Sequence, residues 1–203
     1  METQLITDLI PKSYQEEIKH EMLKPTGAKF FPWYLNHSTI DSSKTYDSTH
    51  TGKLEDPYID SSQFYHMFLN TDGGQHSTPY FHLVRPILYF LESKFGVTCN
   101  ELIRVKGNLL VSNGKPGVHV PHIDNQEEGY KTLLYYVNSS DGDTITYNEY
   151  FNDKKQETFT IEKTITPTQG SAILLDTNRF HTSSMPVTNE HRCVINFIFK
   201  GNL

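Results

Sequence analysis

The C-terminal half of the chain consists of short β-forming runs separated by turn residues. These runs follow Glu101, and the turn sequences Gly-Lys-Pro-Gly, Ser-Ser-Asp-Gly-Asp and Thr-Gln-Gly lie between them. Several short strands at this spacing are typical of an antiparallel sandwich or jelly roll. The predicted strands include Leu109 to Ser112, Lys131 to Asn138, Thr144 to Tyr147, Ala172 to Leu175 and Arg192 to Lys200.

Two helical patterns precede the strands. In the first, Ser13 and Glu16 have the spacing of a capping box, and apolar residues then repeat at helical intervals until Pro25. The second pattern ends at Gly96 and contains Pro86, which is expected to bend its early turns. Its apolar stripe comprises Val84, Ile87, Leu88, Leu91 and Phe95.

Helices followed by strands predict an α+β fold that is mainly β. With 203 residues the chain is long enough for one domain of ordinary size. We expect residues 1–98 to supply helical support and loops, and residues 99–203 to form the jelly-roll core. Asn36 to Ser62 is polar and has little periodicity, so it is either a lid or a disordered surface loop. Thr71 to Ser77 is a second candidate for a loop that contacts substrate.

Composition argues against several classes of function. The formal net charge is -6 and the chain has no run of Lys or Arg, which argues against nucleic acid as a partner. The N-terminus does not match a signal peptide, and no segment approaches the length of a transmembrane helix. The two cysteines, Cys99 and Cys193, fit a reducing compartment. We therefore expect a cytoplasmic protein with no membrane partner.

The sequence His122-Ile123-Asp124 is the first candidate for a chemical site. Alternation along a strand places positions 122 and 124 on the same face, about 6 to 7 Å apart along the chain, so both side chains can reach one metal ion. This tripeptide is a weak signal alone, because a surface His beside a turn Asp is common. His119 lies on the opposite face by parity and is predicted not to be a ligand.

His181 and Arg192 supply the context for that tripeptide. Two imidazoles and one carboxylate on one face of a metal leave positions open, and this ligand set suits iron(II) oxygenases. Arg192 shares an otherwise largely apolar strand face with Val194 and Asn196, so its charge needs a partner. That partner is either an incoming carboxylate, which the guanidinium fork binds well, or an internal Asp or Glu.

Taken together, Gly117 to Phe199 resembles the 2-oxoglutarate/Fe(II)-dependent dioxygenase superfamily, and most of all its prolyl-hydroxylase-like branch. The His-x-Asp motif of the family falls on His122 and Asp124, its distal His on His181, and the Arg that anchors 2-oxoglutarate on Arg192. Tyr136 matches a family Tyr that helps bind the same carboxylate. The turn Asp141-Gly142-Asp143-Thr144 lacks the paired glycines of the family and receives no ligand role.

The resemblance implies a double-stranded β-helix with N-terminal helices packed on its larger sheet. It also implies Fe(II) as the metal, 2-oxoglutarate and O₂ as cosubstrates, ascorbate as a further candidate, and succinate and CO₂ as products. The implied reaction is hydroxylation of a C–H bond in a peptide, protein or small molecule, with prolyl peptides or free proline as the first candidates. Two alternatives stay open, a non-catalytic jelly-roll binding protein and a cupin-type enzyme that needs no 2-oxoglutarate. The oligomeric state is left open.

Overall fold

Three helices and thirteen strands are present in the part of the chain that the computed structural model describes, namely residues 1–24, 30–39, 58–71, 74, 76–152, 156 and 158–202. The helices are α1 (Lys12–Leu23), α2 (Phe81–Val84) and α3 (Pro86–Phe95). The strands before α3 are β1 (Gln4–Ile6), β2 (Tyr34–Asn36), β3 (Tyr58–Ile59), β4 (Gln63–Asn70) and β5 (His76–Ser77). The strands after it are β6 (Glu101–Val111), β7 (Val118–His119), β8 (Tyr130–Tyr136), β9 (Thr144–Tyr150), β10 (Ile161–Ile165), β11 (Ala172–Asp176), β12 (Arg179–Ser183) and β13 (His191–Lys200).

Eleven of the strands form one large and one small antiparallel sheet, and β3 and β7 form a separate parallel pair. The eight-stranded sheet has the order β1-β11-β8-β13-β6-β4-β2, with β5 paired to β4, and the three-stranded sheet has the order β10-β9-β12. A cavity is lined by β6, β8 and β13 of the large sheet and by β9 and β12 of the small one. The mainly β, antiparallel architecture predicted from the sequence is confirmed, and it is consistent with a jelly roll.

The central strand β13 divides its side chains between two environments. Cys193, Ile195, Phe197 and Phe199 belong to a buried apolar cluster, whereas Arg192, Val194 and Asn196 line the cavity. This is the alternation predicted from the sequence, because successive side chains of a strand point to opposite faces.

One buried cluster joins helices and sheet. It contains Ile18 and Met22 of α1 and Ile87, Leu88 and Leu91 of α3, together with the non-cavity face of β13. A Cβ atom at Gly107 of β6 would lie 3.3 Å from Met22 and 3.2 Å from Phe68. A glycine at this point of β6 therefore lets α1 approach the sheet closely.

The predicted capping box of α1 is wrong. Pro11 is the N-cap residue, no side chain caps the helix, and the backbone N–H groups of Tyr14 and Gln15 donate to the carbonyl of Pro11. The helix thus begins at Lys12, and Ser13 lies inside its first turn, where its hydroxyl cannot serve as an N-cap.

The second helical pattern is broken rather than bent at its proline. Pro86 is the first residue of α3, a position that needs no backbone N–H donor, and Gly96 ends α3 in the left-handed conformation with φ 68°. Four residues of the predicted stripe are buried, but Phe95 is 47% exposed. Phe95 is the last residue of α3, and its side chain is not part of the buried cluster.

The first 98 residues also contribute strands to the large sheet, and β4 was not predicted from the sequence. Its polar and apolar residues do not alternate strictly, and a register irregularity between Met67 and Leu69 interrupts its pairing with β6.

Of the predicted lid, residues 40–57 lie outside the described residues, as do 72, 73 and 75 of the second candidate loop. In the described part of the chain, no helix is long and apolar enough to cross a membrane.

Candidate metal centre

Three side chains converge at one wall of the cavity. The ligand atoms of His122, Asp124 and His181 all lie within 4.8 Å of one another. His181 Nε2 lies 3.6 Å from Asp124 Oδ2, and the two imidazole centroids are 4.5 Å apart. The structure therefore brings together the three residues that the sequence offered as metal ligands.

The backbone fixes the relative positions of the two histidines. His122 and His181 form an antiparallel bridge in which each backbone N–H donates to the carbonyl of the other at 2.9 Å. Outside this bridge the segment around His122 is not a regular strand, contrary to the expectation. Ile123, between the two candidate ligands, touches the cavity but is buried in a cluster with Tyr147 and Phe180.

Hydrogen bonds to backbone carbonyls orient the imidazoles. His181 Nδ1 lies 3.0 Å from the carbonyl oxygen of Arg179, and His122 Nδ1 lies 3.4 Å from that of Val120. A carbonyl oxygen can only accept, so Nδ1 of His181 carries a proton, and Nε2 is the nitrogen that would bind a metal.

Asp124 is held as an anion. Thr132 Oγ1 donates to Asp124 Oδ2 at 2.6 Å, and Asn196 Nδ2 donates to the same oxygen at 3.0 Å. Arg104 Nη2 lies 3.3 Å from Asp124 Oδ1. Burial by itself raises the pKa of Asp124, but charge attraction to His181 and Arg104 outweighs burial and holds that pKa well below its ordinary value. At neutral pH Asp124 is thus already ionised, so it can bind a metal without first losing a proton.

These observations fit a first-row divalent metal. Two imidazoles and one ionised carboxylate are the donor set that suits iron(II), and each member has the outer hydrogen bond that orients such ligands. Among the described residues this is the only group of three or more His, Cys, Asp or Glu that could hold a metal ion.

Arg192 is a second feature of the same cavity. Its side chain is buried, its Nε donates to the Gly142 carbonyl at 2.8 Å, and its Nη2 donates to Thr144 Oγ1 at 2.7 Å. Across the described ranges no carboxylate lies within ion-pair distance of Arg192. An internal ion pair therefore has no support among the described residues, although Asp143 acts on Arg192 electrostatically from a longer distance. The buried guanidinium has no directly paired carboxylate in this part of the chain.

Tyr136 is fully buried and donates from its hydroxyl to Thr144 Oγ1 at 2.9 Å. It is not among the residues that line the cavity, whereas Thr144 is. Thr144 was not recognised from the sequence, because only the fold brings its hydroxyl to both Tyr136 and Arg192.

The turn at Gly142 supports Arg192, although sequence analysis gave that turn no ligand role. The carboxylate of Asp141 accepts hydrogen bonds from the backbone N–H groups of Val187, Thr188 and Asn189, which fixes the turn against a neighbouring loop. The Gly142 carbonyl then accepts from Arg192.

We expect Gly142→Ala to destabilise the protein by about 1–3 kcal/mol, since overpacking a tight site costs this much. The added Cβ would lie 2.9 Å from Arg192 Cδ and 2.9 Å from the backbone oxygen of Ser184, which cannot move away as a flexible side chain can. Chemical denaturation measures the change, with the exposed Gln126→Ala as control. A Gly142→Ala protein as stable as wild type would contradict the close packing of this turn.

The cavity has a volume of about 190 Å³, and the charged residues of its lining are mainly basic. Among the described lining residues the cations Arg104, Lys106 and Arg192 face one acid, Asp124. His119 also lines it, with Nε2 2.8 Å from Ser61 Oγ and Nδ1 2.9 Å from the Ser183 carbonyl. It does not belong to the metal-ligand group, as the sequence predicted.

Several solved structures are similar in fold to this chain. An oxidoreductase of the 2OG-Fe(II) oxygenase family from Burkholderia pseudomallei has a TM-score of 0.64 at 10% identity, covering 98% of this chain and 84% of that one. The non-heme α-ketoglutarate-dependent epimerase SnoN from nogalamycin biosynthesis has a TM-score of 0.58 at 10% identity, with 98% and 78% covered. A prolyl hydroxylase from Trichoplax adhaerens, in complex with a hypoxia inducible factor peptide, has a TM-score of 0.54 at 14% identity, with 98% and 83% covered.

No family model and no curated protein matches the sequence. At identities of 10–14% the structural likeness shows the fold, which this chain shares with these three proteins.

Proposed function

We propose that the protein is an Fe(II)- and 2-oxoglutarate-dependent dioxygenase that hydroxylates a C–H bond. The observation that carries the proposal is the presence, in one cavity, of a His-Asp-His group and a buried arginine without a carboxylate partner among the described residues. The overall reaction converts substrate, 2-oxoglutarate and O₂ to the hydroxylated substrate, succinate and CO₂.

His122, Asp124 and His181 would hold the iron, which supplies the chemistry of O₂ activation when bound. The protein fixes these ligands through their outer contacts. Thr132 and Asn196 hold the carboxylate of Asp124, and backbone carbonyls hold the imidazoles. Such contacts keep the ligands in place before the metal arrives.

Arg192 would bind the carboxylate of 2-oxoglutarate that lies away from the metal. Its guanidinium is held by Gly142 and Thr144, and a planar fork of donors suits a carboxylate. Tyr136 contributes through Thr144, because its hydroxyl donates to that side chain. An incoming dianion would also pair directly with Arg192, which has no carboxylate within ion-pair distance among the described residues.

The substrate is proposed to be a prolyl residue or a proline-like molecule. Support comes from the likeness in fold to two prolyl hydroxylases, from Trichoplax adhaerens and Pseudomonas putida, added to the sequence resemblance. The acid at position 124 supports hydroxylation over halogenation as the reaction. Asp124 would bind the metal at the place that a halide would need in a halogenating enzyme.

The proposal is tested by succinate production. Protein loaded anaerobically with Fe(II) is given 2-oxoglutarate, O₂ and candidate proline compounds, and mass spectrometry follows succinate and a gain of one oxygen. We expect both products in equal amounts. Oxygen uptake without succinate would instead support a cupin-type enzyme, and metal binding without turnover would support a binding protein.

A further inference from the structure

Four polar side chains form a continuous patch on the floor of the cavity beside the candidate metal centre. We call it the β6 polar patch, and it consists of Arg104, Lys106 and Asn108 of β6 and Asn196 of β13. The three β6 residues share a face because they are two positions apart. Asn196 lies directly opposite Lys106 in the antiparallel register and also donates to Asp124. The patch is therefore in contact with a candidate metal ligand.

Polar atoms in this patch lack partners. Five buried side-chain nitrogen or oxygen atoms of the described residues have no hydrogen-bond partner, and three of them are Arg104 Nε, Asn108 Oδ1 and Asn196 Oδ1. Buried polar atoms are normally paired, since an unpaired one is costly. One unused donor and two unused acceptors at one site indicate a ligand that both accepts and donates hydrogen bonds.

The charge of the cavity lining points to an anionic group on the ligand. Three cations and one acid among the described lining residues leave a formal charge of +2. Iron(II) and the dianion of 2-oxoglutarate cancel each other, so this excess persists in the loaded site. Arg192 is proposed to bind the 2-oxoglutarate carboxylate, and Arg104 and Lys106 are the other cations that line the cavity. Arg104 Nη2 contacts Asp124, whereas Arg104 Nε has no partner among the described residues. The ammonium of Lys106 lies 5.3 Å from the centroid of the Tyr65 ring, and its side chain still lines the cavity.

We propose that the β6 polar patch is the substrate subsite, and that it recognises a carboxylate with a neighbouring N–H donor. This chemistry is found in a free amino or imino acid and at the C-terminal residue of a peptide. Arg104 and Lys106 bind the carboxylate, and the side-chain oxygens of Asn108 and Asn196 accept from the N–H group. The inference rests on the proposed function. It narrows that function, because an internal prolyl residue of a peptide has no carboxylate and no backbone N–H.

The test is calorimetric and does not depend on turnover. Protein loaded anaerobically with Fe(II) and 2-oxoglutarate is titrated with each of the twenty common free amino acids and with the corresponding amides. We expect at least one free acid to bind, and its amide to bind roughly tenfold to a hundredfold more weakly, which is the size of a charged hydrogen bond. Peptides that end in the same residue, as free acid and as amide, separate the two sources of the carboxylate.

Substitutions in the β6 polar patch test whether it is responsible for binding the free acid. Lys106→Gln removes the charge, and Asn108→Leu keeps a similar shape but removes the oxygen that would accept from the N–H group. Each is expected to weaken binding of the free acid roughly tenfold or more, whereas Lys115→Gln, at an exposed position, matches wild type. Thermal melting checks that the variants fold.

The outcomes separate this inference from the proposed function. If neither free amino acids nor free-acid peptides bind more tightly than their amides, or if both patch variants bind as wild type does, the subsite assignment is wrong. In that case normal binding of iron and 2-oxoglutarate in the same titrations would leave the proposed function standing. Failure of the protein to bind iron and 2-oxoglutarate would overturn the proposed function itself.

Discussion

Asp124→Ala is expected to lose stoichiometric iron(II) binding and, with it, 2-oxoglutarate turnover. The variant removes the only carboxylate among the described lining residues of the cavity and leaves Arg104 facing His122 and His181 without a negative charge between them. The loss should exceed the roughly 10- to 100-fold effect of changing a residue that only orients a ligand. His181→Ala is expected to have a similar effect, because each residue supplies one of only three protein ligands. Metal analysis after desalting, together with a succinate assay, measures both.

The matched control is Glu128→Ala, which removes an exposed acid four residues from Asp124. It should retain one iron per chain. Wild-type iron content in Asp124→Ala or in His181→Ala would show that the metal is held elsewhere, and the assignment of this centre would then be wrong.

Arg192→Ala is expected to weaken 2-oxoglutarate binding strongly while iron binding changes far less. The guanidinium contacts Gly142 and Thr144 and is not among the metal-ligand group, so its removal acts on the cosubstrate. Loss of a bidentate charged contact is expected to reduce affinity by roughly two orders of magnitude. Arg192→Lys should restore only part of it, since an ammonium is a point charge and cannot reproduce the fork.

Calorimetric titration of the anaerobic iron-loaded protein with 2-oxoglutarate measures this effect. Lys115→Gln again serves as the control, because it removes a positive charge from an exposed position. If Arg192→Ala bound 2-oxoglutarate as tightly as wild type, Arg192 would be a structural residue and the anchor would lie elsewhere in the cavity.

The sequence predicts the fold well for elements that bury one face and leave the other in a different environment. In β13 the alternation of cavity-facing and core-facing side chains follows directly from the pattern of Arg192 to Phe199. The end of α3 at Gly96 is predicted equally well, since Gly96 adopts a left-handed conformation that suits glycine. By contrast, β4 was missed because its residues do not alternate strictly. The capping box at Ser13 failed because Pro11 is the N-cap residue and the helix begins at Lys12.

The candidate site also has parts that the sequence predicts and parts that it does not. His122, Asp124, His181 and Arg192 could be selected by residue type and spacing alone. Their supporting contacts could not, because Arg104 is 20 positions from Asp124 and Asn196 is 72 positions away. Pairings of this kind are set by strand register, which no local pattern reveals. The β6 polar patch became visible only when the register of β6 and β13 was known.

The most direct test of the central claim is a crystal structure of the protein prepared anaerobically with Fe(II) and 2-oxoglutarate, with anomalous data collected at the iron absorption edge. We expect one iron peak bounded by His122, Asp124 and His181, and a carboxylate of 2-oxoglutarate on the guanidinium of Arg192. An iron peak at another position, or 2-oxoglutarate bound away from Arg192, would contradict the account.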